Sequence, residues 1–162
     1  LRKPEHETHE LLGEETFDDC LGAMQFDSRF RKNRYLKALP SAQCEHKGKA
    51  VYKLKSTSKF ENWWYDYRIS YIDRKTFADY RSDYYRNGEL IKRIDRDWTA
   101  LDVSRQPLEK EDPRALFWRY WYGITYASGH ETMASVPADE VHWNRNMENE
   151  FWSEKTMMQM RK

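Results

Sequence analysis

Three kinds of side chain in this sequence could carry chemistry: charges at alternate positions, neighbouring histidines, and two cysteines. Asp66, Arg68 and Ser70 alternate in "YDYRISYID", and Arg81 and Asp83 repeat the spacing in "DYRSDYYR". A period of two puts such residues on one face of a strand, where opposite charges read as cross-strand pairs. General acid–base catalysis asks for more, namely two groups in fixed geometry with separated pKa values. No local signature supplies that. His6, His9 and Glu10 cluster in "HETHE" without the HExxH spacing of a zinc site. His130 follows Gly129 and His142 precedes Trp143, positions that suit loop hydrogen bonding better than a shared proton transfer. The sequence contains no phosphate-binding loop, dinucleotide fingerprint, nucleophile elbow or kinase set. The expectation is a protein that is not an enzyme and uses no metal or cofactor. Cys20 and Cys44 are the only cysteines, with no CxxC or four-ligand zinc spacing. From the residues alone they read equally as two small buried thiols or as one disulfide.

The elements that must position these groups are strands. From Trp63 the odd positions run Trp63, Tyr65, Tyr67, Ile69, Tyr71, with Asp66, Arg68 and Ser70 between them. A polar turn at Asp73-Arg74-Lys75 leads into "TFADYRSDYYR". Asn87-Gly88, a pair able to enter the positive-φ region, then predicts a tight hairpin into "ELIKRI". "KAVYKLKST" precedes this group as a less regular strand. Beyond a connector with Pro107 and Pro113, Trp118, Tyr120, Tyr122, Ile124 and Tyr126 alternate again, and Ser128-Gly129 turns the chain into "HETMASVP". "ENEFWSEKTMMQM" suits one short helix. "LRKPEHETHE" reads as mobile or loosely attached, and Leu11 to Phe30 as short extended or irregular pieces. The fold class expected is mainly β: a curved antiparallel sheet forming a half-barrel or incomplete barrel, with short helical segments.

The totals bound the function. A chain of 162 residues suits one domain. Its 28 Lys and Arg against 27 Asp and Glu leave a net charge of +1, which gives no general attraction to nucleic acid. The run Arg29, Arg31, Lys32, Arg34, Lys37 reads as a solvated face, so no nucleic-acid partner is expected. No stretch approaches the length of a membrane-spanning helix. The chain opens on Leu1-Arg2-Lys3 and not on an initiating Met, as a processed or trimmed product would. An aromatic strand face must be covered. Tyr65, Tyr67, Ile69, Tyr71, Trp118, Tyr120, Tyr122, Ile124 and Tyr126 therefore read either as core packing or as the wall of a ligand cavity.

The segments "YRISYIDRKTFADYRSDYYRNGELIKRI", "WYGITYASGHETMASVP" and "ENEFWSEKTM" resemble the LolA/LolB-like superfamily and, more narrowly, bacterial outer-membrane lipoprotein-sorting proteins. The strand–Asp–basic–hydroxyl pattern falls on Tyr71 to Thr76, the strand and Gly turn on Tyr84 to Leu90, and the later turn on Ser128 to Thr132. The terminal aromatic-Ser-Glu stretch falls on Phe151 to Glu154. The resemblance covers Cys44 to Met158, and residues 1–43 depart from it. It implies a single domain over residues 1–162 with a mobile or divergent N-terminal segment, residues 1–43. It also implies a periplasmic location, a hydrophobic or acyl-chain ligand held on the nine aromatic-face residues above, and carriage linked to lipoprotein sorting without turnover. A Cys20–Cys44 bridge follows if that compartment is right. The alternative function is that of an interaction subunit with an envelope protein partner.

Overall fold

The computed structural model describes residues 3–21, 44–100, 116–136, 141 and 153–159. A 3-10 turn at Pro4–His6 precedes seven strands: β1 (Glu7–Thr16), β2 (Ala50–Ser58), β3 (Tyr67–Asp73), β4 (Asp79–Arg86), β5 (Glu89–Ala100), β6 (Leu116–Thr125) and β7 (His130–Ser135). A helix, α1 (Glu154–Gln159), follows, and the Ser153 hydroxyl caps it by accepting the Thr156 N–H at 3.3 Å. The strands form one antiparallel sheet in the order β1-β2-β3-β4-β5-β6-β7, each paired with its neighbours in sequence. The two outer strands do not pair with each other, so the sheet is not closed into a barrel. The period-two alternation thus leads to the mainly β, open architecture expected of it.

Turn chemistry fixes the hairpins. Asn87 and Gly88 both take positive φ, 52° and 79°, and connect β4 to β5 in the tightest turn of the sheet. Between β3 and β4 the Asp73 carboxylate accepts the N–H groups of Lys75 and Thr76, both at 2.8 Å, and holds the backbone in a side-chain-closed turn. The polar residues 7–16, which read as loose or irregular, are in fact β1, paired from Glu7–Ser58 to Thr16–Ala50. Nearly every β1 side chain is exposed, so no apolar alternation marks this strand. Its backbone ladder and polar side-chain contacts such as Glu7–Arg68 and His9–Ser56 hold it. The basic run at Arg29 to Lys37, the connector at Pro107 and Pro113, and His142 lie outside the described residues.

Register sorts the side chains onto two faces. Tyr67, Ile69 and Tyr71 share the first face with Arg81 and Asp83 of β4, then Arg93, Asp95 and Asp97 of β5. Tyr120, Tyr122 and Ile124 of β6 complete it. The second face carries Arg68, Ser70, Ser82, Tyr84, Ile94 and Gly123. Two apolar clusters pin the sheet. One gathers Phe17, Leu21, Val51, Ala78 and Tyr80, where β2 begins and β3 ends; the other packs Tyr65 and Tyr84 with Ile94 and Trp121.

Candidate functional site

The first face holds six of the nine expected residues, with a charged centre between them. Arg81 donates from Nε and Nη2 to the two oxygens of Asp95, at 2.7 and 3.1 Å, and from Nη1 to Asp19. Arg93 forks onto Asp83 in the same way, at 2.7 and 2.9 Å. Arg119 bridges Asp97 and Glu45, and His46 Nε2 lies 2.9 Å from the other Asp97 oxygen. Fork-on-carboxylate geometry makes these charge-assisted bonds strong and directional. Pairing of this kind, by forks at Asp83 and Asp95 and by Arg119 with His46 at Asp97, permits Arg81 and these carboxylates to be buried, because an unpaired charge there would keep its full desolvation cost.

Two register slips build the site. Between Tyr71 and Ile72 the ladder skips Tyr80, and between Asp97 and Trp98 it skips Arg119. An extra residue in a strand re-aims its side chain. Tyr80 donates its hydroxyl to Asp73 at 2.6 Å and stacks on the His46 ring at 4.2 Å. Arg119 reaches Asp97. The sequence shows neither slip.

Burial raises the Asp97 carboxyl, but hydrogen bonds from His46 and Arg119 and the Arg119 charge outweigh it and leave the group below its ordinary value. Burial likewise opposes ionisation of Asp73, and the Tyr80 hydroxyl and the Thr76 and Lys75 N–H groups more than compensate. Burial raises Tyr80, Tyr120 and Tyr122, helped at Tyr80 by Asp73 and at Tyr122 by Glu131. A useful general acid or base titrates near the working pH. These carboxyls and phenols are displaced away from neutrality in opposite directions, so they suit fixed charge and fixed hydrogen bonding.

Six of the nine residues expected as core or wall share the first face, three on β3 and three on β6, with β4 and β5 between them. Tyr67, Ile69 and Tyr71 form a partly buried rail on β3, with Lys55 Nζ 4.8 Å over the Tyr67 ring and Lys53 Nζ 5.5 Å over the Tyr71 ring. Tyr120, Tyr122 and Ile124 form the second rail, and Tyr122 donates its hydroxyl to Glu131 at 2.8 Å. The other three stand elsewhere. Tyr65 precedes β3, is 1% exposed, packs with Tyr84 on the second face and donates to Glu7 at 2.9 Å. Trp118 lies beyond the slip, opposite Trp98. Tyr126 is exposed in the turn after β6.

The charge pairs also differ in partner from the simplest reading. Arg81 and Asp83 do pair across strands, with Asp95 and Arg93 of β5. Arg68 binds Glu7, and Asp66 accepts the Asn87 N–H at 2.6 Å. The alternation Arg93, Asp95, Asp97 in β5 was the signal that could have identified the ionic centre. His46 and Asp19, both in connections, carry no such signal. His9 bonds Ser56 and His6 accepts the Lys3 N–H, so the "HETHE" histidines serve local structure. Cys20 and Cys44 are joined in a disulfide, and the Cys20 carbonyl accepts from Arg81 at 3.2 Å. Among the described residues no group of three or more His, Cys, Asp or Glu side chains is placed to hold a metal, and no helix is long and apolar enough to cross a membrane.

No family model and no curated protein matches this chain. Solved structures do. A candidate outer membrane lipoprotein-sorting protein domain from Vibrio parahaemolyticus superposes with a TM-score of 0.57 at 13% identity, over 94% of this chain and 48% of that one. A DUF1329 family protein from Desulfovibrio piger gives 0.58 at 14% identity, over 94% and 47%. A LolA superfamily protein from Nitrosomonas europaea overlaps more loosely, with a TM-score of 0.44 at 13% identity, over 94% and 51%. The chain spans about half the length of the first two. At such identities the likeness to the first two is one of fold alone.

Proposed function

We propose that this protein binds an amphipathic, acyl-bearing ligand on the first face and carries it without chemical turnover, in the periplasm. The observation that supports this reading is the presence of two aromatic–aliphatic rails, Tyr67-Ile69-Tyr71 and Tyr120-Tyr122-Ile124, on one face, with the charged residues of β4 and β5 between them. Apolar rails can remove an acyl chain from water, and the fixed charges and phenols between them can orient a polar headgroup. The fold likeness and the disulfide both fit an exported carrier, possession of a disulfide being the usual mark of an oxidising compartment. A role in outer-membrane lipoprotein sorting is the narrower form of the proposal.

One observation favours the second reading, an interaction subunit of an envelope assembly. Phe77 is 71% exposed and stacks on Tyr52, while Leu11, 59% exposed, pairs in register with Leu54. This apolar corner lies on the opposite face, so the two readings are separable. Native mass spectrometry of protein purified without detergent distinguishes them: a lipid adduct supports carriage and a stoichiometric protein partner supports assembly. Binding of a dansylated fatty acid tests the rails directly. Ile69→Asp should weaken it at least about tenfold, with folding checked by circular dichroism. Unchanged binding in a folded Ile69→Asp protein would remove the first face as the ligand wall.

A further inference from the structure

A concavity of about 370 Å³ lies between the β2–β3 connection and the β4–β5 turn and is lined by none of the rail residues. Phe60, Trp63 and Tyr65 supply aromatic wall, with ring centroids 5.5 Å apart for Phe60–Trp63 and 6.3 Å for Trp63–Tyr65. Phe60 is 46% exposed. Around these rings stand Asn62, Asp66, Arg86 and Asn87. Asp66 spends one oxygen on the Asn87 N–H. The Arg86 guanidinium and the Asn62 and Asn87 carboxamides make no hydrogen bond or ion pair with the described residues, although all three stand at the same opening. The Trp63 indole Nε1 is buried and has no hydrogen-bond partner among the described residues. A buried donor of that kind is uncommon in folded proteins.

The chemistry of this lining restricts the ligand. One arginine and one aspartate leave it without net charge, so neither an anion nor a cation is favoured outright. The carboxamides present donors and acceptors together, Arg86 only donors, and the second Asp66 oxygen only an acceptor. A group matching all of these must donate and accept at closely spaced points. It must also offer an apolar C–H surface to the rings. Hydroxyls on a saturated ring meet both requirements, and the volume falls within the usual range for small-ligand sites. We propose that this pocket binds a pyranose sugar, with the aromatic wall against the ring face and Asn62, Arg86 and Asn87 on the hydroxyls. Movement of the Trp63 indole toward a ligand hydroxyl would satisfy its N–H. The site uses none of the rail residues, so it stands or falls independently of acyl binding on the first face.

The test is an NMR titration of the whole chain labelled with 15N-tryptophan, the Trp63 indole resonance being assigned by its loss in Trp63→Phe. Glucose, N-acetylglucosamine, octyl glucoside below its micelle concentration, glycerol and octanol are added separately. Saturable movement of the Trp63 signal with the free sugars supports a site for sugar alone; movement with octyl glucoside only supports a site for the sugar head of an amphiphile. Arg86→Ala and Asn62→Ala replace exposed side chains and should leave the other indole signals in place. Each should weaken binding by about fivefold or more. The proposal is overturned if no sugar moves the signal at tens of millimolar, if octanol or glycerol moves it equally, or if both variants bind as the parent does.

Discussion

The two faces of one sheet bury polar groups by different means. On the first face the cross-strand pairs Arg81–Asp95 and Arg93–Asp83 place full charges among tyrosines. On the second, Ser70 and Ser82 meet hydroxyl to hydroxyl at 3.2 Å, and Ser56 bonds His9. A buried serine that loses its partner leaves a modest debt, whereas an arginine that loses its aspartate leaves an ion. The charged face is therefore specified by partners that must all be present. Besides its ion pairs Arg68–Glu7 and Arg96–Asp79, the serine face is specified by size, since small side chains leave room for Tyr65, Tyr84 and Trp121. On that face a Cβ added to Gly123 would come within 3.0 Å of the Trp121 ring.

Arg81 and Ser82 are neighbours in sequence on opposite faces, so substituting each one sets the two regimes side by side. The largest effect is expected at Arg81→Met, which removes the guanidinium fork from the buried Asp95 and releases Asp19. A loss of about 3–5 kcal/mol in urea unfolding is predicted. Arg81→Met combined with Asp95→Leu should recover much of it, because the buried carboxylate that lost its guanidinium is then gone. A double variant no more stable than Arg81→Met alone would mean that the pair contributes through packing and not through charge compensation.

Next comes the disulfide, which ties the Asp19–Cys20 segment beneath Arg81 to Cys44. Cys20→Ser with Cys44→Ser should cost about 2–4 kcal/mol. Its effect should be smaller in an Arg81→Met background, since the two share the Cys20 carbonyl and Asp19 contacts. Additive losses in that cycle would show that the clip and the ionic centre are uncoupled.

Acid gives a smaller and graded effect. Asp19, Asp73 and Asp97 titrate below their ordinary values in the folded chain. The stability they contribute is complete above the unfolded carboxyl pKa of about 3.9 and disappears as pH falls through their lower folded values. The urea midpoint should therefore hold down to about pH 5 and fall below about pH 4. Asp97→Asn, though less stable at neutral pH, should show a shallower acid slope. The smallest effect is expected on the serine face: Ser82→Ala removes the hydroxyl pair with Ser70 and a long contact from Arg96 and should cost about 0.5–1.5 kcal/mol. A loss at Ser82 equal to that at Arg81 would dissolve the distinction between the faces.

Much of the sheet was legible in the sequence because its signals are local. Tyr67-Ile69-Tyr71 and Tyr120-Tyr122-Ile124 alternate in the chain, and Asn87-Gly88 can do little but turn it. The rails on the first face follow from that alternation once the register is fixed. What the sequence did not disclose depends on register or on distant partners. Tyr65 shares the parity of Tyr67, yet β3 starts only at Tyr67, so the alternation does not extend back to it. Tyr80 and Arg119 owe their aim to slips in the ladder. Glu7 reaches Arg68 and Tyr65 from a strand with no apolar pattern at all. His46 meets Asp97 across 51 residues of sequence, a distance over which residue spacing carries no information.

The connections between strands also set an order of assembly. Only residues 87–88 separate β4 from β5, and residues 74–78 separate β3 from β4, whereas residues 17–49 stand between β1 and β2. Closing a longer loop costs more chain entropy, so the central hairpins should form early and β1 should dock late. Conservative substitutions in β4 and β5 should then slow folding, and those in β1 should mainly speed unfolding; equal φ values across the sheet would exclude this order. The Cys20–Cys44 bridge changes the arithmetic for the last strand. With the bridge closed, the path from Thr16 to Ala50 runs through the sulfurs and bypasses residues 21–43. An oxidised chain would bring β1 home sooner than a reduced one, so the bridge acts on the rate of folding as well as on the finished sheet.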